Sequence, residues 1–257
     1  LIRQTVPLPE PGPGDVVVGV GAVSLNFRDY AIALGLYAPN QSLPLTLCSD
    51  AAGTVLATGR EVKTWRVGDR VTTHYIQDWL SGRGTAKVQT KTLGSPLEGV
   101  LRNVIVIPEH GLVRTPDYLT DIEAATLPIA ALTAWSALVT TACVKGDEFV
   151  LVQGSGGVSL FGIQIAKALG LKVIATTGSA AKAQKLRELG ADEVVVASHG
   201  KDWSTPVRRA SGGGVDVVLD VGGGATVAQS VKALRHQGRV SASDFLAECS
   251  RRFLWAL

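Results

Sequence analysis

The sequence predicts an α/β protein built of two domains: a β-rich domain over residues 1–120, then a doubly wound parallel sheet over residues 121–257. Two observations carry that prediction. Up to about Pro116 the apolar segments are short and punctuated by Gly and Pro, the texture of a compact sheet or barrel. From Phe149 onward apolar runs alternate with stretches of helical period, which requires parallel strands joined by right-handed crossovers.

The first part opens with the turn formers "PLPEPGPG". Short strands follow in "DVVVGVGAVSLN", "SDAAGTVLATG", "GDRVTTHY" and "RNVIVIPEHGLV". The connecting stretch "DIEAATLPIAALTAWSALV" is helical in pattern. In the second part "EFVLVQ" reads as a buried strand, and the helix over 158–169 carries Phe161, Ile165 and Leu169 on one face. "KVIAT" is the next strand and a helix follows over 180–189. "DEVVV" and "GVDVVLDV" read as further strands, 226–234 as a helix and "GRVSA" as the last strand. There is no internal repeat and no low-complexity segment.

Composition narrows the class of partner. A chain of 257 residues with 46% hydrophobic and 18% charged residues has enough apolar material for a sizeable core. The net charge is only +3, with no basic block interleaved with aromatics, so neither nucleic acid nor a membrane is the expected partner. A small molecule is. Cys48, Cys143 and Cys249 are an odd number at spacings that match no zinc knuckle or disulfide framework, so reduced thiols in a cytoplasmic protein are expected. The absence of methionine leads to the expectation that the sequence is incomplete, either its natural start or some other residues being missing.

The glycine cluster in "VLVQGSGGVSLFG" gives the first chemical pointer. Gly154, Ser155, Gly156, Gly157, Val158 and Ser159 follow a strand and open a helix. That context supplies a tight turn, bare backbone and free helix N–H groups, which together seat a nucleotide phosphate. Ser159 stands where the usual fingerprint has its third glycine, and is small enough for close helix-to-strand packing. An acidic residue about 20 positions further on would bind the ribose 2′-hydroxyl of NAD. Here "ATTGSAAK" offers Thr176, Thr177, Ser179 and Lys182 and no carboxylate. Hydroxyls and a cation suit a 2′-phosphate, so NADPH is the expected cofactor; a merely solvated Lys182 is the alternative.

Several stretches in order now identify a relative. "LNFRDYAIALGLY", "SDAAGTVLATG", "VGDRV", "QDWLSGRGTA", "TLGSPLEGVLRN", "TLPIAALTAWSAL", "VLVQGSGGVSLFGIQIAKALG" and "VDVVLDVGGGATVAQSVKALRHQGRVS" resemble the medium-chain dehydrogenase/reductase superfamily, in its zinc-independent branch of quinone-oxidoreductase-like and enoyl-reductase-like proteins. The resemblance implies a GroES-like substrate domain before a Rossmann domain, with the active site in the cleft between them.

It also implies where metal would sit. Zinc-dependent relatives place a Cys and a His-Glu pair at the positions of Asn26, Ser49 and Asp50. These residues supply no tetrahedral N/S set, so no metal is expected. Without a Lewis acid to stabilise an alkoxide, reduction of a quinone or of an α,β-unsaturated carbonyl suits the site. By the same carry-over Asn26 orients the substrate carbonyl, and Arg28 and Asp29 form a charge pair holding that loop. Thr133 is expected near the nicotinamide, with Val221 and Gly222 on its other side. Trp135 reads as core; Tyr30 and Tyr37 are weaker candidates for a proton donor.

Relatives continue beyond "GRVS" with a further strand, so the Rossmann sheet is expected to be incomplete and the chain truncated. The tail "ASDFLAECSRRFLWAL" reads as a short helix with Phe245, Cys249 and Phe253 on one face. This helix, or the second subunit of a homodimer, is expected to cover the open edge, and turnover is expected to be weak. A family member that has lost net redox turnover, serving as a non-redox enzyme or binding protein, is the second function class.

Overall fold

The computed structural model describes residues 1–7, 10–38, 40–82, 84–85, 90–198 and 200–242. The chain forms two compact units, Leu1–Ile129 and Ala130–Leu257.

In the first unit five strands make one antiparallel sheet. They are β1 (Asp15–Ser24), β2 (Asp50–Thr58), β3 (Arg70–Thr73), β4 (Val104–Pro108) and β5 (Leu112–Arg114), in the order β4-β1-β2-β3-β5. β1 bulges between Val17 and Val18 and again between Val20 and Ala22, which bends the sheet around its own core. That core holds Val16, Val18, Val55, Val71, Val100, Ile105, Ile107 and Leu112. A short helix, α1 (Phe27–Ala33), leaves the end of β1. Asp29 starts it by accepting the Asn26 backbone N–H at 2.8 Å.

The connecting stretch is helical but not one α-helix. α2 (Asp121–Ala124) is followed by a π-helical segment Leu127–Ala131, then α3 (Leu132–Trp135) and a second π-helical segment Ser136–Thr141. Thr120 and Glu123 start α2 reciprocally: the Thr120 hydroxyl accepts the Glu123 N–H and the Glu123 carboxylate accepts the Thr120 N–H. Pro128 has no N–H to give a helical ladder, and the next amide, Ile129, donates instead to Asp50 at 3.2 Å. α2 packs on β1 and β2, which carries the first unit to Ile129.

The second unit is a parallel five-stranded sheet, β6 (Phe149–Gln153), β7 (Lys172–Thr177), β8 (Glu193–Val196), β9 (Val215–Asp220) and β10 (Leu234–Ala242), in the order β10-β9-β6-β7-β8. The connecting helices are α4 (Gly157–Ala168), α5 (Ala180–Glu188), α6 (Ser204–Ala210) and α7 (Val227–Ala233). Each lies within about a residue of its sequence expectation where one was made. The three inner strands β6, β7 and β9 are buried on both faces because both are covered, whereas the edge strands β8 and β10 are largely exposed or half-buried. Val150 and Val152 pack with Leu138, Ile163 and Leu219, while Leu151 packs with Ile174, Val207, Val218 and Ala233. The order reverses between β6 and β9, and ligands of such sheets sit beyond the carboxyl ends of the strands at this switch point. The expected tail helix lies outside the described residues.

Candidate functional site

In the first unit a polar cluster surrounds the start of α1. Asp50, at the head of β2 and paired in register with Ser24, is fully buried. Its Oδ2 accepts from Asn26 Nδ2 at 2.9 Å and from the Ile129 N–H, and its Oδ1 is buried without a partner among the described residues. Burial pushes the Asp50 carboxyl up to about 7, against the pull of those two bonds. Burial also raises the carboxyl of Asp29, and it pushes the neighbouring Cys48 thiol up to about 12, assisted by the two carboxylates.

Arg28 does not make the expected direct ion-pair contact with Asp29, although its charge acts on the Asp29 carboxyl. Its guanidinium is buried and donates to Ser49 Oγ and Leu93 O, each at 2.9 Å, to Thr92 Oγ1 and to Ser95 O. The rings of Tyr37 and Tyr75 lie 4.7 and 5.1 Å from its Cζ. The fork is therefore spent on the 92–95 turn, a geometry that a planar guanidinium satisfies and a carboxylate beside it does not require. Asp29 serves the Asn26 backbone instead.

The residues expected at the metal position come together without forming a metal site. Of Asn26, Ser49 and Asp50 only Asp50 is a common zinc ligand, and its Oδ2 is engaged. Among the described residues no three His, Cys, Asp or Glu side chains are grouped to hold an ion. As a donor set, Asn26, Ser49 and Asp50 do not fit zinc.

In the second unit Gly154 turns the chain with φ +76°, a conformation that suits glycine. Gly156 caps α4 in an extended conformation, and a Cβ at either glycine would meet no atom closer than 3.9 Å. The first helical bond runs from Leu160 N–H to Gly156 O at 3.0 Å, so the amides of Gly157, Val158 and Ser159 precede it and face the open turn. Ser155 is half-buried beside the exposed Gly156 and Gly157. Ser159 is buried and its hydroxyl donates to Gln153 O at 2.6 Å, tying the helix start to the strand end. The close-packing position is Gly162, where a Cβ would stand 2.7 Å from Leu219 Cδ2. A glycine one helical turn beyond the fingerprint was the available signal for it.

At the end of β7 the candidates separate. Thr177 is buried and its hydroxyl accepts the Ser179 N–H at 3.2 Å, so it shapes the turn. Ser179 caps α5 with its side chain uncommitted to the helix, and Lys182 is exposed in the first turn. Thr133 is half-buried on α3. Trp135 is 47% exposed, so its expected place in the core is corrected: it sits on the outer face of a four-residue helix. Val221 and Gly222 are half-buried just beyond β9, where Gly222 N–H donates to Asp220 Oδ1 at 2.8 Å. The Asp220 network was not read from the sequence, although an acidic residue ending the apolar run Val217–Leu219 shortly before three glycines was its visible sign. The open turn, the helix amides and the buried Gln153 Oε1 at the end of β6, which has no partner among the described residues, fit a dinucleotide.

Comparison with known proteins agrees with this arrangement. The alcohol dehydrogenase GroES-like domain family matches residues 12–117 and the zinc-binding dehydrogenase family matches residues 157–248. A zinc-type alcohol dehydrogenase-like protein of Schizosaccharomyces pombe is 37% identical over 238 residues, 91% of this chain and 69% of the relative. The chain belongs to the medium-chain dehydrogenase/reductase superfamily, in its quinone-oxidoreductase-like branch. Among solved members of that superfamily, a putative alcohol dehydrogenase from Sinorhizobium meliloti aligns with TM-score 0.84 and 41% identity, covering 92% of this chain and 70% of that one. The Escherichia coli quinone oxidoreductase complexed with NADPH aligns with TM-score 0.76 and 26% identity, covering 99% of this chain and 82% of that one. The first unit is accordingly GroES-like and the second Rossmann-like, in a superfamily of oxidoreductases. No described helix is long and apolar enough to cross a membrane.

Proposed function

We propose that this superfamily member is an NADPH-dependent reductase of quinones or α,β-unsaturated carbonyls that works without zinc. The observation that carries the reading is the end of β7, where no carboxylate stands, Lys182 is exposed and Ser179 is half-buried with its side chain uncommitted to the helix. The residues 1–120 are the substrate domain and 121–257 the dinucleotide domain in this reading.

The turn amides of Gly156, Gly157, Val158 and Ser159 hold the pyrophosphate, and Lys182 with Ser179 holds the 2′-phosphate through charge-assisted bonds. Thr177 acts indirectly, by fixing the Ser179 amide. Thr133, Val221 and Gly222 line the nicotinamide. Bound NADPH supplies a hydride to the β-carbon of an enone or to a quinone. Asn26 has two amide protons and gives one to Asp50; the other is free to donate to a substrate oxygen as negative charge develops there. Arg28 and Asp29 keep that amide in place by fixing the 92–95 turn and the start of α1.

Thermal shifts with NADPH and NADH on the native chain and on Lys182→Ala test the reading. NADPH should stabilise the native chain more than NADH, and Lys182→Ala should bring the two together. Equal shifts on the native chain would overturn the cofactor assignment.

A further inference from the structure

Two segments flank the switch point beyond the carboxyl ends of β6 and β9. One is the glycine turn after β6; the other is the segment 221–226 after β9, which contains Gly222, Gly223 and Gly224 in succession. Three glycines have the widest backbone freedom of any triplet, so such a segment keeps one shape only if something holds it. A single carboxylate does so. Asp220 is fully buried. Its Oδ1 accepts from Gly222 N–H at 2.8 Å, Gly223 N–H at 2.9 Å and Thr226 Oγ1 at 2.6 Å. Its Oδ2 accepts from Ser230 Oγ at 2.6 Å, and Ser230 Oγ in turn accepts from Gln153 Nε2 at 2.6 Å. The Thr226 side chain folds over Gly222, where a Cβ would stand 2.4 Å from its Oγ1.

The chain Asp220–Ser230–Gln153 therefore joins the carboxyl end of β9 to that of β6 across the switch point. We propose that Asp220, Ser230 and Thr226 are positioning residues for the nicotinamide half of the dinucleotide, fixing the 221–226 segment at a set distance from the glycine turn. The inference rests on the reading of this unit as an NADPH seat. In that reading the phosphorylated adenosine lies at the end of β7, so the segment beyond β9 meets the opposite half of the ligand.

The test compares a ligand that reaches this segment with one that does not. NADPH and adenosine 2′,5′-bisphosphate are titrated by calorimetry into the native chain, Ser230→Ala, Thr226→Val and Thr226→Ser. Ser230→Ala and Thr226→Val should weaken NADPH about tenfold, the loss of one charge-assisted hydrogen bond. The bisphosphate should bind within about twofold of native, and Thr226→Ser, which keeps the hydroxyl, should restore NADPH. Unchanged NADPH binding, or equal weakening of both ligands, would overturn the positioning role while leaving the cofactor reading intact. Failure of the native chain to bind either ligand would overturn both.

Discussion

Asn26 Nδ2 donates to Asp50 Oδ2 over 2.9 Å, and that bond ties the loop before α1 to the head of β2 at the position where zinc-dependent relatives keep metal ligands. The partner carboxyl is wholly buried. With Asp50 raised to about 7 from 3.8, chiefly by burial, the folded protein binds a proton more tightly than the unfolded chain. Its contribution to stability is therefore full below about pH 4 and is lost as pH rises through about 7. Asp50→Asn removes the titration. Its melting temperature should fall less than that of the native chain between pH 5 and pH 8, the difference in stability being at most about 1.4 kcal/mol per pH unit. Parallel curves for the two proteins would contradict the assignment.

Arg28 gives a sharper test of local architecture. Lysine keeps the charge but not the planar fork, so Arg28→Lys should leave several of the acceptors at Ser49, Thr92, Leu93 and Ser95 without donors. Urea unfolding should show a loss of about 2–3 kcal/mol. A loss below about 0.5 kcal/mol would place the 92–95 turn under other control.

Gly162 should resist a branched side chain. Gly162→Val sets a Cβ against Leu219 Cδ2, 2.7 Å away in a fully buried site, and overpacking of this kind costs about 1–3 kcal/mol. In a double-mutant cycle with Leu219→Ala the two losses should not add, because the second change opens the space the first one needs. Additive losses would show that the helix and strand do not meet there.

How much of this was legible beforehand differs between the two units. The second was nearly complete in the sequence: fully buried parallel strands are continuous apolar runs, and the glycine turn has its meaning from the strand before and the helix after. Trp135 was misplaced because apolar character alone does not say which side of a short helix faces out. The first unit was legible as short strands, but its polar cluster was not. Arg28 bonds to residues 64 to 67 positions away, and no local pattern announces contacts of that range. Adjacent Arg28 and Asp29 invited a charge pair, whereas the fold gives each a separate task. The direct partners of Asp220 are all local, Gly222, Gly223, Thr226 and Ser230; what no local pattern announces is the further step from Ser230 to Gln153, which lies 77 residues away in sequence on a strand brought alongside by the sheet order.

Cofactor consumption tests the central claim most directly. The native chain is mixed with NADPH or NADH and a panel of quinones and enones, with and without a chelator, and loss of the reduced nicotinamide is followed by absorbance. The account predicts NADPH oxidation with at least one member of the panel, even if slow, faster than with NADH and unchanged by chelation. No oxidation with any acceptor, equal rates with NADH, or activity abolished by the chelator would contradict it.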